Sequence, residues 1–166
     1  MTLHIVLVNP EIPQNTGNIV RTCAALGAVL HLVEPLGFSI ADRYLKRAGL
    51  DYWHMASVET HPSLEEALGN APRESIFPAS ARGTRSHISA AYPDPCWIVF
   101  GPESTGLSDH IVDSYAGQVV RIPMREGARS LNLSNAVAVL AYEVFRQWGF
   151  DGLSVVRAAT TEGEPV

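Results

Sequence analysis

Asn9-Pro-Glu-Ile-Pro-Gln-Asn-Thr-Gly-Asn-Ile-Val-Arg21 is the stretch on which the reading of this chain turns. Ahead of it, Leu3 and the run from Ile5 to Val8 form a short apolar block suited to a strand buried on both faces. Behind it, the spacing predicts a helix over 16–26, stopped by Gly27. Between the two lie two prolines, three asparagines and a glycine within ten residues, a costly composition for a mere connection. The turn sets polar amides and the Arg21 guanidinium at the carboxyl end of a strand. Open α/β sheets bind their ligands at such edges.

Outward from this stretch, apolar runs alternate with helical patterns, which predicts an α/β fold with a mainly parallel sheet flanked by helices. Strands are expected at 3–8, 29–33, 55–58, 75–79, 96–100 and 119–122. Further helices are expected at 42–48, 63–68, 108–115 and 133–148. Ser63 with Glu66 three residues on has the form of a capping box. The last helix carries one apolar stripe of Val137, Leu140, Ala141, Val144 and Trp148, and a second of Ala138, Val139, Tyr142 and Phe145. Two apolar sides call for two covering surfaces, so a homodimer through this helix is expected. Residues 1–150 read as a single domain. Residues 151–166 lose periodicity and read as a flexible C-terminal tail.

At 166 residues and 46% hydrophobic, the chain can bury roughly 70% of its unfolded surface. The N-terminal apolar run is too short to span a membrane and follows no basic region, so a cytoplasmic protein is expected. Cys23 and Cys96 stand alone, as buried thiols in a reducing compartment would. The six histidines show no i,i+4 pairing and no cysteine company, and no metal is expected. The net charge of −5 disfavours a polyanionic partner, but its distribution does not. The basic residues, nearly all arginine, cluster as Arg43, Lys46 and Arg47, as Arg82 and Arg85, and as Arg121, Arg125 and Arg129. Guanidinium groups fork phosphates and stack on bases.

Two more loops carry chemistry. Phe100-Gly-Pro-Glu-Ser-Thr-Gly-Leu-Ser108 has the glycine spacing of a phosphate-binding loop, yet Leu107 holds the place of the essential lysine. Ser104 lacks the spacing of a nucleophile elbow. A glycine turn remains, with Glu103 beside it. The third loop runs from Arg121-Ile-Pro-Met124 through Gly127-Ala-Arg-Ser-Leu-Asn-Leu-Ser-Asn-Ala136. Ser130, Asn132, Ser134 and Asn135 exceed what capping one helix requires.

Together, segments 9–21, 99–107 and 121–136 resemble the three motifs of the SPOUT RNA methyltransferases, over nearly the whole chain. The match is nearest to their compact tRNA (cytidine/uridine-2′-O-)-methyltransferase branch. The resemblance implies a C-terminal deep trefoil knot and a homodimer. It also implies S-adenosyl-L-methionine as methyl donor, leaving as S-adenosyl-L-homocysteine. Carried onto this sequence, Ala79, Ser80, Gly101, Ile122, Met124, Ser130 and Leu131 would hold the donor. Arg21 would act on the ribose 2′-oxygen, assisted by Asn15, Glu103, Ser130 and Asn135. A guanidinium stays protonated in proteins, so binding phosphate and stabilising a developing alkoxide suit Arg21 better than proton abstraction. Arg43, Lys46, Arg47, Arg82, Arg85, Arg125 and Arg129 would meet tRNA phosphates around the anticodon stem-loop. The implied target is the wobble ribose, C or modified U, in leucine tRNAs. Two alternatives stay open: another tRNA nucleotide, and an inert RNA-binding module with the same fold.

Overall fold

The computed structural model describes residues 1–39, 52 and 54–155. β1 (Leu3–Val8) is the middle of a five-stranded parallel sheet. It pairs with β2 (Val29–Val33), placing Ile5 opposite Leu30, and with β6 (Cys96–Phe100), placing Ile5 opposite Ile98. β3 (Ser57–His61) forms one edge beside β2, and β4 (Ile76–Pro78) forms the other beside β6.

Strand periodicity divides the apolar side chains between two faces. Leu3, Ile5, Leu7, Leu30, Leu32, Ile98 and Phe100 meet α1 (Pro13–Leu26) and α4 (Leu133–Gln147), through Ile19, Val20 and Cys23 and through Val137, Leu140, Ala141 and Val144. Val6, Val8, Val33 and Val99 turn the other way. They meet Ala67 of α2 (Leu64–Leu68), with Ile111 and Val112 of α3 (Asp109–Ser114) packed beside them. Both-sided burial is why the central strands are apolar without interruption. Both cysteines are buried free thiols; desolvation pushes Cys23 up to about 12 and also raises Cys96.

Several boundaries move, each for a local reason. The first helix begins at Pro13 rather than residue 16, because proline at the first helical position has no N–H to lose. The strand expected at 55–58 lies at Ser57–His61. The N–H groups of Met55 and Ala56 instead close a turn onto the Tyr52 carbonyl at 2.9 and 3.0 Å. Residue 75 belongs to a 3-10 turn at Arg73–Ser75, and Pro78 is tolerated because β4 is an edge strand. The segment 119–122 contracts to β7 (Val120–Arg121), which pairs with β5 (Arg85–Ser86) outside the main sheet. A further bridge joins Ala79 to Val120, so β7 lies along the loop that follows β4.

Ser63 caps α2, its hydroxyl accepting from Glu66 N–H at 3.2 Å, and Ser108 caps α3. The helix expected at 42–48 falls outside the described residues. On α4 the second stripe is narrower than expected. Phe145 is in the core at 4% exposure, leaving Val139 at 39% and Tyr142 at 49% as the uncovered apolar surface. No helix among the described residues is long and apolar enough to cross a membrane.

Candidate active site

The turn after β1 is bent by Asn9, whose φ of 47° lies in the left-handed region that asparagine tolerates. Its N–H donates to the Val33 carbonyl at 3.0 Å. The chain then enters α1 with Ile12 at the N-cap and no side-chain acceptor of its own. Glu103, from the loop after β6, supplies the missing acceptor. Its carboxylate takes N–H bonds from Glu11 at 2.8 Å and Ile12 at 3.3 Å, and one from the Asn15 amide at 2.9 Å. A carboxylate there also meets the positive end of the helix dipole. Glu11 reciprocates, accepting from Ser104 N–H at 2.9 Å and Ser104 Oγ at 2.7 Å. Two carboxylates thus cross between two loops.

Asn15, 5% exposed, continues the chain: its Oδ1 accepts from Asn132 Nδ2 at 2.9 Å. Asn132 in turn caps α4, accepting from Ser134 N–H at 2.9 Å and Asn135 N–H at 3.4 Å. Glu103, Asn15 and Asn132 therefore tie three loops from distant parts of the sequence into one rim. The loop after β6 is tight for a reason internal to it. A Cβ on Gly101 would fall 2.3 Å from both Gly106 C and Leu107 N, so the missing side chain admits the loop's own backbone. Leu107, where a phosphate-binding loop has lysine, is 3% exposed in the core beside α3.

The three loops and the segment after β4 surround a cavity of about 620 Å³. Ala79, Ser80, Gly101, Ile122, Met124, Ser130 and Leu131 all line it, as do Asn15, Glu103, Arg82, Arg121 and Arg129. Its lining is mixed, with Ala136 and Leu140 of α4 among the apolar residues and Ser80 and Ser130 among the polar ones.

The SpoU rRNA Methylase family matches residues 2–142. This chain belongs to that family. As a SpoU-type methylase it is 46% identical over 151 residues to the tRNA (cytidine(34)-2′-O)-methyltransferase of Escherichia coli K12, covering 90% of this chain and 96% of that protein. It is 47% identical over 149 residues to the protein of the same name from Methylovorus glucosotrophus, covering 89% and 97%. A solved structure described as "Structural insights into the 2-OH methylation of C/U34 on tRNA" superimposes with a TM-score of 0.84 at 46% identity, covering 90% of this chain and 97% of that one. The SpoU methyltransferase AviRb from Streptomyces viridochromogenes, in complex with the cofactor AdoMet, superimposes with a TM-score of 0.78 at 26% identity, covering 89% and 58%.

Not every expected residue of this methylase reaches the cavity. Arg21 lies on the exposed side of α1, its guanidinium 4.5 Å from the centre of the Tyr52 ring, and it is not among the lining residues. Glu103 is not its partner, since that carboxylate is engaged by Glu11, Ile12 and Asn15. Asn135 is also outside the lining, its N–H spent on the helix cap. Arg82 bonds to Asp109 and to the Leu107 carbonyl, which fastens the loop after β4 to the loop before α3. Arg85 donates to the Ser89 carbonyl at 3.0 Å, while Arg125 and Arg129 are exposed. Arg43, Lys46 and Arg47 lie outside the described residues. Sequence reading did not single out Glu11, weighed Ser104 only as a nucleophile, and counted Asn132 among more polar groups than one helix cap requires. The available signal was a helix start lacking its own acceptor, which requires one from elsewhere.

Proposed function

We propose that this chain transfers a methyl group from S-adenosyl-L-methionine to the ribose 2′-hydroxyl of nucleotide 34 of tRNA, as the TrmL group does. The observation that carries the proposal is the single cavity at which three far-separated loops are hydrogen-bonded together, in a chain 46% identical to a tRNA (cytidine(34)-2′-O)-methyltransferase. The cavity suits the donor in size and chemistry. Its volume lies within the range of small-molecule sites. Ile122, Leu131, Ala136 and Leu140 offer apolar surface to adenine, and Ser80 and Ser130 offer hydroxyls to the sugar and amino-acid ends.

When bound, the donor supplies an electrophilic methyl on a sulfonium, and the protein supplies position and charge. Ala79, Ser80, Gly101, Ile122, Met124, Ser130 and Leu131 hold it. The Glu103–Asn15–Asn132 chain fixes the loops relative to one another, so the cavity is formed before the substrate arrives. A protonated Arg21 binds the phosphate beside the target ribose and stabilises the negative charge that grows on the 2′-oxygen. Because Arg21 is not among the residues lining its own chain's cavity, a second subunit brings it to the neighbouring site. Val139 and Tyr142 on α4 give that subunit its apolar contact. Residues 1–150 act as the methyltransferase domain, with the trefoil knot of the family where β7 runs along the loop after β4, and 151–166 follow as a tail. Arg85, Arg125, Arg129 and the cluster at Arg43, Lys46 and Arg47 contact the anticodon stem-loop, and the protein works in the cytoplasm.

Incubation with labelled donor and unmodified tRNA, followed by mass-spectrometric mapping, tests the assignment. Label on the ribose of nucleotide 34 is expected. Label on another nucleotide, or tRNA binding without transfer, contradicts it.

A further inference from the structure

The pairing of β2 with β3 brings together three side chains from two separate parts of the sequence. His31 on β2 and Glu59 and His61 on β3 point to the same face of the sheet, at the register that sets His31 opposite Glu59 and Val33 opposite His61. This is the Val33 face, covered by α2, whereas the cavity opens on the face covered by α4. His31 Nδ1 lies 2.9 Å from His61 Nε2, and Glu59 Oε2 lies 3.5 Å and 3.6 Å from those two nitrogens.

These separations describe a triangle of donors. Two ligands held at about 2.1 Å in tetrahedral geometry stand about 3.4 Å apart, and the three edges measured here bracket that value. The ring of His31 is also oriented from behind. Its Nε2 is 2.9 Å from His4 Nδ1, and the His4 ring stacks on Trp97 with centroids 4.1 Å apart and planes 1° from parallel. Donation of the Nε2 proton to His4 leaves the lone pair of His31 Nδ1 directed toward Glu59 and His61. An outer partner that fixes tautomer and ring plane is what metal-binding histidines characteristically have. His31 is 6% exposed at its side chain and His61 17%, while Glu59 is 52% exposed. The triangle is therefore anchored in the protein and open to solvent on its carboxylate side, where a water can complete the coordination.

We propose that His31, Glu59 and His61 form a binding site for a divalent transition-metal ion of the zinc class, separate from the methyl-transfer cavity. Two imidazoles and one carboxylate favour such an ion over magnesium or calcium. The ion takes the place of the proton shared between His31 Nδ1 and His61 Nε2, and neutral His61 then carries its one ring proton on Nδ1, so both imidazoles ligate as neutral groups. The site cross-links edge strand β3 to β2 and takes no part in the reaction, and it departs from the expectation from sequence that the histidines hold no metal. Spacing along the sequence could not reveal it, because strand pairing rather than helical repeat brings the ligands together.

The test is calorimetric titration of the full chain, stripped with chelator, with zinc chloride, comparing wild type with Glu59→Gln and His61→Gln. One equivalent is expected to bind in wild type, with Kd raised tenfold or more in each variant. No binding in wild type, or a smaller rise in either folded variant, overturns the site, because other histidines or nothing would then account for the metal. Circular dichroism verifies the folds. Glu59 is half-exposed, so its variant decides the question alone should His61→Gln fail to fold.

Discussion

Glu103 sits on one loop and completes the helix start of another, so its removal should be felt in both. Glu103→Ala leaves the Glu11 and Ile12 N–H groups and the Asn15 amide without an acceptor, and is expected to cost about 1–3 kcal/mol in urea denaturation. Glu103→Gln, which keeps one acceptor oxygen, is expected to cost less; equal losses would show that one neutral acceptor oxygen cannot replace the carboxylate, and no loss in either would show that the cap contributes nothing. Gly101→Ala is expected to cost about 1–3 kcal/mol and to weaken donor binding. The new methyl has to displace Gly106 and Leu107 backbone, not a flexible side chain. A calorimetric Kd unchanged by that substitution would separate the loop's packing from the cavity. At this scale the sequence revealed residue types better than partners. Asn132 was legible as a cap, since its own neighbours Ser134 and Asn135 donate to it. The bonds from Glu11 to Ser104 and from Asn15 to Asn132 were not, because they depend on loops 93 and 117 residues apart meeting in space.

Among the elements, β2 carries a buried histidine whose titration bears on stability. His31 is held at about 4, below its ordinary 6.5, first by burial and then by the adjoining His4 and His61. A lowered histidine favours the folded state while neutral. Its stabilisation is fully present above 6.5 and is lost as pH falls from 6.5 toward 4, on the order of 3 kcal/mol across that window. Urea denaturation in chelator at several pH values should show this decline, and His31→Asn should flatten it. An equal slope in the variant would assign the decline to other groups. The central strands were readable from apolar runs alone. β3 was misplaced because Ser-Val-Glu-Thr-His has no such run and owes its position to pairing with β2. β7 was placed but not assigned to its own small sheet, since two residues carry no periodicity. Phe145 was read as part of a second apolar stripe, yet it lies in the core and packs edge-on against Trp148 of the first, 5.5 Å between ring centres.

For the whole molecule, the decisive feature is that the cavity and Arg21 do not meet within one chain. Arg21→Ala is expected to retain donor affinity and lose at least about 100-fold in transfer, the scale of a lost oxyanion-stabilising group. Leu131→Trp, filling the cavity from an exposed position, is expected to lose donor binding and with it activity. Mixed in equal amounts, these two inactive variants should recover about a quarter of wild-type activity, because half the dimers formed at random carry one intact site of two. No recovery would place Arg21 in its own chain's site or outside the reaction. The parallel α/β architecture was legible from alternating patterns. The union of three loops in one cavity came only through resemblance, since periodicity records burial and says nothing of which loops converge.

The central claim is that these loops form the donor site. Co-crystallisation with S-adenosyl-L-homocysteine tests it most directly. The expected result is density against Ala79, Ser80, Gly101, Ile122 and Leu131, with the Glu103–Asn15–Asn132 chain intact behind it. Density on the α2 side of the sheet, or an empty cavity in saturated crystals, would contradict it.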